Sequence, residues 1–414
     1  MSTTDVTVRS PGRTSPGAPV PAPPSEHLSP IAWLRQNLFN GWLNSVITVL
    51  LVWLIGILLA RVFTWMLTQA NWAPITTNLR LFWVGRYPAD QIWRVQACVA
   101  LVLLLFGLSA GIWGGIIRGV TIGLAAATAL LALLPFGLRV QTYLAGLVLL
   151  IGAAFLLGRW QARRLRRMTI VLWILSPAIV LLLIRGTAVS PLLPRVDTTL
   201  WGGLLLTLML AVVGIVASFP LGVLLALGRR SRLPVVKGFC IAYIELIRGV
   251  PLITVLFMAL IMLPLFLPAG VRVDTVVRVM VAITLFSAAY LAENVRGGLQ
   301  AVPHGQVEAA RTLGLNVFQT TILIVLPQAL RAVIPAIVGQ FISLLKDTSL
   351  VAIVGLIDLL GIAGAVIEQP AWQNVTGGVQ REVLLFTACI YWIFCFSMAR
   401  VSRRIEQRLG VGTR

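Results

Sequence analysis

Long apolar runs, separated by short polar or basic segments, dominate the pattern of hydrophobic and polar positions along the chain. Each run approaches the roughly 20 residues that an α-helix needs to cross the hydrocarbon core of a bilayer. The pattern therefore predicts about ten membrane-spanning helices. Their approximate ranges are 42–65, 95–117, 119–138, 140–158, 168–185, 200–228, 242–267, 276–298, 328–346 and 383–402.

Three segments do not fit this pattern of spans. Residues 1–40 form a tail whose first part is rich in Pro, Ser and Thr, which predicts disorder, followed by a short apolar stripe that suits a membrane interface. The aromatic residues of 71–94 indicate an exposed loop with interface anchors. The apolar, glycine-interrupted run 351–366 is typical of a re-entrant or surface-lying helix.

Composition supports an all-α polytopic membrane protein. Of 414 residues, 58% are hydrophobic and 11% are charged, with a mean hydropathy of +0.95, whereas a soluble domain carries about 25% charged residues. The net charge of +20 could indicate nucleic-acid binding. However, the basic residues occur in bursts at the ends of apolar runs, as the positive-inside rule requires. The predicted surrounding is a lipid bilayer, with no nucleic-acid partner.

The same bursts predict the topology. Arginine-rich segments at 159–167, 229–237 and 400–408 are expected on the cytoplasmic side. Counting spans alternately from them places both termini, and the polar segment 300–325, on that side as well.

This polar segment, 299–327, is predicted to fold as a hairpin of two short helices. At ~100° per residue, one arc carries Val307, Ala309, Ala310 and Leu313, interrupted only by Gln306. The other arc carries His304, Glu308, Arg311 and Thr312. Gly314 is positioned as a helix C-cap, Asn316 and Gln319 can form a capping box, and Pro327 is expected to end the second helix. Amphipathicity alone favours an ordinary interfacial loop.

The spacing within the hairpin indicates more than a loop. Glu308-Ala309-Ala310, three residues, Gly314, nine residues, Ile324, one residue and Leu326-Pro327 resemble the EAA motif of ABC importer permeases. Segments at 289–293, 296–300, 305–306 and 346–350 resemble the polar-amino-acid branch of that family. The resemblance implies a type I ABC permease core with five spans at 198–405. The preceding region at 41–190, with about five spans, resembles that of the long permeases of general L-amino-acid systems.

The resemblance implies a function and a set of partners. The chain would be the permease subunit of an ATP-driven importer of amino acids, of broad L-amino-acid specificity, in a bacterial inner membrane. Its partners would be an ABC ATP-binding subunit, a second permease subunit and a periplasmic substrate-binding protein. The chain has no Gly-x-x-x-x-Gly-Lys-Ser/Thr phosphate loop. It is therefore expected to bind no cofactor and to be no enzyme itself, with ATP and Mg²⁺ on the partner ATPase.

Two groups of residues are candidates for carrying this function. The first is the proposed ATPase contact, in which Glu308 would pair with a group on the ATPase; alternatively, it is a solvated carboxylate paired with Arg311. The full set of coupling candidates is Glu308, Ala309, Ala310, Arg311, Gly314 and Pro327.

The second group is a candidate substrate path or gate. Glu245, Arg248 and Glu293 lie at span ends, where they could either stabilise the bundle by pairing or form a gate. The sequence Lys346-Asp347-Thr348-Ser349 could contact the ammonium and carboxylate groups of an amino acid; equally, Asp347 could cap the next helix.

Two other classes of membrane protein are less consistent with the sequence. An ion-coupled secondary transporter would need ionisable residues deep within its spans and inverted repeats, and the sequence shows neither. A membrane-embedded enzyme would need a nucleophile–base pair or a metal cluster, whereas the only histidines are His27 and His304.

Overall fold

The computed structural model describes residues 29–135, 137–187, 191–268, 270–271 and 273–410, so the predicted disorder of the tail lies largely outside the described residues. The chain divides into two compact units after Ala70. The first contains α1 (Pro30–Asn37), a short helix at the predicted apolar stripe, and α2 (Trp42–Thr68), a 27-residue helix long and apolar enough to cross a membrane.

The second unit begins at Asn71 and is helical throughout its regular elements. Its N-terminal part contains α3 (Ala73–Val84), α4 (Ile92–Trp113), α5 (Gly115–Ala132), α6 (Leu138–Trp160) and α7 (Ala162–Arg185). Its C-terminal part contains α8 (Gly203–Arg229), α9 (Pro234–Gly249), α10 (Leu252–Phe257), α11 (Leu263–Phe266), α12 (Thr275–Ala301), α13 (His304–Thr312), α14 (Val317–Gln319), α15 (Leu326–Asp347), α16 (Leu359–Ile367), α17 (Pro370–Gln373) and α18 (Gln380–Leu409).

Nine helical segments of the described chain are long and apolar enough to cross a membrane, and a bent pair of helices raises the total to ten. The predicted all-α polytopic fold with about ten spans is confirmed. In the N-terminal part, α4 packs against α5, α6 and α7; in the C-terminal part, α12 packs against α8, α9 and α15.

The predicted continuous span at 242–267 is wrong. Its sequence forms α9 and then α10–α11, which meet at an angle of 107°. The break occurs because Val250 and Pro251 both have extended backbone conformations, and the residue before a proline is disfavoured in the helical region. A π-helical stretch at Met258–Met262 interrupts the second arm.

The predicted exposed loop at 71–94 is also wrong. Most of it forms α3, which packs against α8, α16 and α18. Phe82 is fully buried and its ring meets that of Phe386 edge-on at 5.1 Å, while the hydroxyl of buried Tyr87 donates to the carbonyl oxygen of Ile184 at 2.8 Å. Aromatic residues that resembled interface anchors are thus partly core residues, because α3 covers one end of the bundle.

The start of α8 is a tightly packed backbone position at this end. Gly203 has φ +59°, its amide donates to the carbonyl oxygen of Ile357 at 3.0 Å, and a Cβ atom there would lie 2.4 Å from the carbonyl oxygen of Phe82. Only glycine satisfies both the positive φ and the close backbone approach.

We expect Gly203→Ala to lower the free energy of unfolding by about 1–3 kcal/mol, because the new methyl group meets backbone and the residue must keep a strained φ. Gly146→Ala is the matched control, since nothing lies within 4 Å of its Cβ position. Thermal unfolding of the purified chains in detergent measures the difference. Equal melting temperatures for the two variants would contradict the packing at α8.

Candidate functional site

The first arm of the predicted hairpin is α13, and it ends in a Schellman motif. Gly314 has φ +78°; its amide donates to Arg311 at 2.9 Å, and the Leu315 amide donates to the carbonyl oxygen of Ala310 at 3.1 Å. These two bonds satisfy carbonyl groups that the end of a helix leaves free. The predicted C-cap at Gly314 is confirmed.

The second arm begins with the predicted capping box. The Gln319 amide donates to Oδ1 of Asn316 at 2.8 Å, and the Asn316 amide donates to Oε1 of Gln319 at 3.1 Å. A side-chain bond of 3.3 Å from Gln328 to Gln306 links α15 to α13. The hairpin is therefore held at its turn and along its arms.

The expectation that Pro327 ends the second arm is wrong. From Val317 to Val354 the chain forms one continuous helical segment of 38 residues, which we call the rod. Pro327 lies at the start of α15, directly after a π-helical stretch at Thr320–Val325. A proline in the first turn of α15 is tolerated because it has no amide hydrogen to donate. The hairpin and the fourth core span are consequently one element.

The hairpin residues divide by exposure. Glu308, Ala309, Arg311 and Gly314 are exposed, whereas Ala310 is only 3% exposed and packs inside the chain. The predicted apolar contact surface of Ala309 and Ala310 is thus only half available to a partner. Ala310 instead closes the hairpin, because α13 packs against the π-helical stretch of the second arm.

The exposed apolar surface of the hairpin is made by residues outside the predicted set. Leu313, Val317 and Phe318 are 81%, 62% and 73% exposed around the turn. We call these three residues the apolar tip. A compact apolar tip flanked by charged side chains is typical of a protein interaction site. The sequence signal was present, since the three residues surround the Gly314 turn.

Glu308 has no ion-pair partner among the described residues. Its carbonyl oxygen accepts a bond from the Thr312 hydroxyl at 3.0 Å, whereas its carboxylate is exposed. The alternative in which Glu308 pairs with Arg311 is not observed. An exposed carboxylate beside the apolar tip remains available to a cation on another molecule.

A second cluster lies where α8, α9 and α12 meet, and we call it the charge network. Nε of Arg296 donates to both carboxylate oxygens of Glu293, each at 2.9 Å. Oε2 of Glu293 also lies 3.6 Å from Nη1 of Arg229 and 3.8 Å from Nη1 of Arg248. Arg229 also pairs with Glu245 at 3.0 Å. The structure brings together the predicted Glu245, Arg248 and Glu293. It adds two arginines, so three cations surround two anions.

The charge network fixes the position of α9. The hydroxyl of Tyr243 donates to the carbonyl oxygen of Leu285 at 2.8 Å, and the guanidinium of Arg248 lies 5.6 Å from the centre of the Tyr290 ring. Partly exposed ion pairs contribute little individually, but a network that joins three helices restrains their relative motion.

The four polar residues at the end of α15, Lys346 to Ser349, differ in how deeply they are buried. Lys346 is exposed, Asp347 and Ser349 are half-buried, and Thr348 is fully buried with its hydroxyl donating to Leu345 at 2.7 Å. Asp347 makes no side-chain capping bond, so the capping alternative is not observed. Lys346 and Asp347 remain as a cation and an anion near the far end of the rod.

Beside this sequence lies a buried carboxylate that sequence reasoning missed. Asp358 is fully buried and caps α16, its Oδ1 accepting from the Gly361 amide at 2.9 Å. Its Oδ2 accepts from the Tyr391 hydroxyl at 3.0 Å. An aspartate directly before an apolar helix was the available signal. The contact between Asp358 and Tyr391 joins α16 to α18.

Three features of the described chain could carry a function: the hairpin, the charge network and the far end of the rod. In the described part of the chain, no group of three or more His, Cys, Asp or Glu side chains is arranged to hold a metal ion. Chemically, the hairpin offers a docking surface. The charge network offers a set of ion pairs that can break and re-form, and the far end of the rod offers a cation and an anion.

Comparison with known proteins identifies the family. Residues 218–411 match the family described as binding-protein-dependent transport system inner membrane component. Over 410 residues the chain is 41% identical to the inner membrane amino-acid ABC transporter permease protein YhdY of Escherichia coli K12, covering 95% of this chain and 97% of the relative. Over 446 residues it is 39% identical to the glutamate/glutamine/aspartate/asparagine transport system permease protein BztC of Rhodobacter capsulatus, covering 96% and 97%.

Shorter proteins match only the C-terminal half. The probable glutamine ABC transporter permease protein GlnP of Bacillus subtilis is 37% identical over 209 residues, which cover 50% of this chain and 93% of the relative. The crystal structure of an amino acid ABC transporter with histidines is 31% identical, covers 50% of this chain and 92% of that chain, and has a TM-score of 0.44.

The N-terminal membrane region is therefore shared with the two long relatives, which align over almost the whole chain. Such identity over nearly the full length of both proteins decides against an ion-coupled secondary transporter. The chain belongs to the family of amino-acid ABC transporter permeases, the multi-pass inner-membrane subunits of ATP-driven importers.

Proposed function

We propose that this permease supplies one half of a two-subunit pathway for L-amino acids and that its hairpin is the docking site of the ATP-binding subunit. The observation that carries the proposal is the continuity of the rod. The rod begins with Val317 and Phe318 of the apolar tip, directly after the turn that follows α13 and its exposed Glu308. Asp347 lies about 45 Å further along the rod, at 1.5 Å per residue. Movement imposed on the hairpin is thereby transmitted directly to the polar sequence at the other end.

The partners follow from the family and from the chemistry of the chain. ATP and Mg²⁺ belong on the ATP-binding subunit, and this chain binds no cofactor. A second permease subunit completes the pathway, and a periplasmic binding protein delivers the substrate. The arginine-rich ends of α7, α8 and α18 support an orientation with the hairpin and both termini in the cytoplasm.

The charge network is proposed as a gate on the hairpin side of the membrane. It ties α9 to the ends of α8 and α12, and α9 is joined to α10 through the extended residues Val250 and Pro251. A break of this kind lets α9 move as a unit when the ion pairs open. Pairing that only stabilises the bundle is the alternative.

The substrate class is proposed from the polar sequence and from the long relatives. Lys346 and Asp347 can receive the carboxylate and the ammonium that every free L-amino acid carries. The relative from Rhodobacter capsulatus is named for glutamate, glutamine, aspartate and asparagine. We propose broad transport that includes these acidic residues and their amides.

Competition tests the substrate class. Proteoliposomes containing the assembled transporter are supplied with labelled glutamate and an excess of one unlabelled L-amino acid. We expect glutamine, aspartate and asparagine each to reduce glutamate uptake. Inhibition by unlabelled glutamate alone would contradict broad specificity, and uptake that persists with a hydrolysis-dead ATP-binding subunit would contradict the ATP-driven mechanism.

If Asp347 receives the substrate ammonium, Asp347→Asn removes a charge-assisted bond of about 1.5–3 kcal/mol, which lowers apparent affinity about tenfold to a hundredfold. The complex should stay assembled with its basal ATP hydrolysis unchanged. Asp90→Asn, at an exposed aspartate outside the core, is the control. Unimpaired uptake by Asp347→Asn would contradict the substrate contact, and loss of the assembled complex would assign Asp347 a structural role.

A further inference from the structure

A groove with a volume of about 820 Å³ separates α7, the last helix of the N-terminal region, from α8 and α12 of the core. Its walls are apolar, and they include Leu181 and Leu182 of α7, Val213 and Ala217 of α8, and Val281 of α12. Outside the end of α7, whose Ile184 joins the central core cluster, this helix packs mainly against α4 rather than against α8 or α12. The groove is therefore a gap between the two halves of the chain.

The groove lies at membrane depth and is open to its surroundings. All three helices that line it are long and apolar enough to cross a bilayer. Leu182 is 53% exposed and Val281 is 49% exposed. An apolar gap in the hydrocarbon region is filled by apolar matter rather than by water, because water there would find no polar partners.

Two arginines line one end of the groove. Arg185, the last residue of α7, and Arg195, in the link to α8, both line it. Neither arginine belongs to any ion pair in the described part of the chain. Asp197 interacts electrostatically with Arg195, while its Oδ1 accepts from the amide and the hydroxyl of Thr199 at 2.9 and 2.8 Å.

A third arginine lies behind this end. Arg94 is fully buried; its Nη1 donates to the carbonyl oxygen of Pro194 at 2.9 Å, while its Nε and Nη2 have no hydrogen-bond partner. Its Nη1 would lie 2.8 Å from a Cβ atom at Gly186, which lines the groove. Arg94 thus adds positive potential at the point where Arg185 and Arg195 converge.

We propose that this groove binds one phospholipid with an anionic headgroup. An acyl chain lies between α7 and the pair α8 and α12, and the phosphate contacts Arg185 and Arg195. A bilayer supplies both parts of this ligand in one molecule, at the depth where the groove is open. A helix of a partner subunit would fill the apolar part but would leave the basic end without an anion.

The charge selects the lipid. Two arginines near the membrane surface should favour an anionic lipid over a zwitterionic lipid by about 30-fold. The bound lipid completes the contact between the N-terminal region and the core, since it fills the space that their side chains leave open. The inference does not depend on which amino acid is carried.

Native mass spectrometry of the assembled transporter tests the proposal. The complex is incubated with equal amounts of phosphatidylglycerol and phosphatidylcholine, and the lipids retained per permease are counted. We expect wild type to retain phosphatidylglycerol in clear preference. The double variant Arg185→Gln, Arg195→Gln should lose the preference, whereas Arg86→Gln, Arg139→Gln, a matched loss of two exposed arginines away from the groove, should keep it.

A second variant tests the groove independently of the arginines. Ala217→Trp places a large side chain in the groove and should reduce retention of both lipids while both arginines remain. Equal retention of the two lipids by wild type would overturn the proposal. It would also be overturned if either groove variant behaved as wild type, or if a photoreactive residue at Leu182 cross-linked to a partner subunit and not to lipid.

Discussion

Glu308→Lys is expected to abolish coupled transport. Glu308 is exposed and unpaired beside the apolar tip, so a lysine there would place a cation against a partner surface that is complementary to a carboxylate. Like-charge juxtaposition across an interface costs several kcal/mol, and each ~1.4 kcal/mol is a tenfold loss of affinity. We therefore expect the ATP-binding subunit to dissociate, or to hydrolyse ATP without uptake.

The permease itself should still fold and insert, because Glu308 lies outside the predicted spans and its carboxylate forms no ion pair among the described residues. Glu368→Lys, the same change at an exposed glutamate outside the hairpin, should leave uptake unchanged. Co-purification of the ATP-binding subunit and amino-acid uptake are measured for both. Wild-type docking and uptake by Glu308→Lys would mean that this carboxylate takes no part in coupling.

Gly314→Val should disable the hairpin through its backbone. Gly314 has φ +78°, and nothing lies within 4 Å of the position of an added Cβ atom, so the cost comes from the backbone conformation alone. Left-handed geometry costs an ordinary L-residue about 1–2 kcal/mol, and a β-branched side chain is the least tolerated. The Schellman turn should open and displace the apolar tip, with at least a tenfold loss of uptake.

Gly314→Asn is the matched control, because asparagine is tolerated in the left-handed region at helix ends. It introduces a side chain of similar bulk and should keep most of the uptake. If valine and asparagine reduced uptake equally, bulk at the docking surface would be responsible rather than the backbone conformation.

The local features of the hairpin could be predicted from the sequence. The C-cap at Gly314 and the capping box of Asn316 and Gln319 depend on bonds between residues at most five positions apart. Helix-capping signals over so short a range can be identified from the sequence alone. The approximate positions of the spans were predictable for a similar reason, since crossing a bilayer requires a continuous apolar run.

The breaks and continuations of helices were harder to predict. Pro251 follows an extended valine and interrupts a predicted span, whereas Pro327 lies in a continuous rod. Both are prolines in apolar surroundings. They differ in the preceding backbone, because a π-helical stretch leads into Pro327 without leaving the helical region. The pattern of apolar residues along the sequence does not show this difference in backbone conformation.

Most contacts between distant parts of the chain could not be predicted. Burial of Ala310 depends on the second arm of the hairpin, the bond between Asp358 and Tyr391 joins residues 33 positions apart, and α3 is covered by helices of the core. A single sequence shows which side chains are apolar or charged. It does not show which of them the bundle will cover.

Site-specific cross-linking within the assembled transporter tests the central claim most directly. A photoreactive amino acid replaces Leu313 in the apolar tip, and, as the control, Leu192 in the link between α7 and α8; both leucines are 81% exposed. If the ATP-binding subunit docks on the hairpin, the probe at Leu313 cross-links to that subunit and the probe at Leu192 does not. Absence of that product at Leu313, or an equal yield at Leu192, would contradict the account.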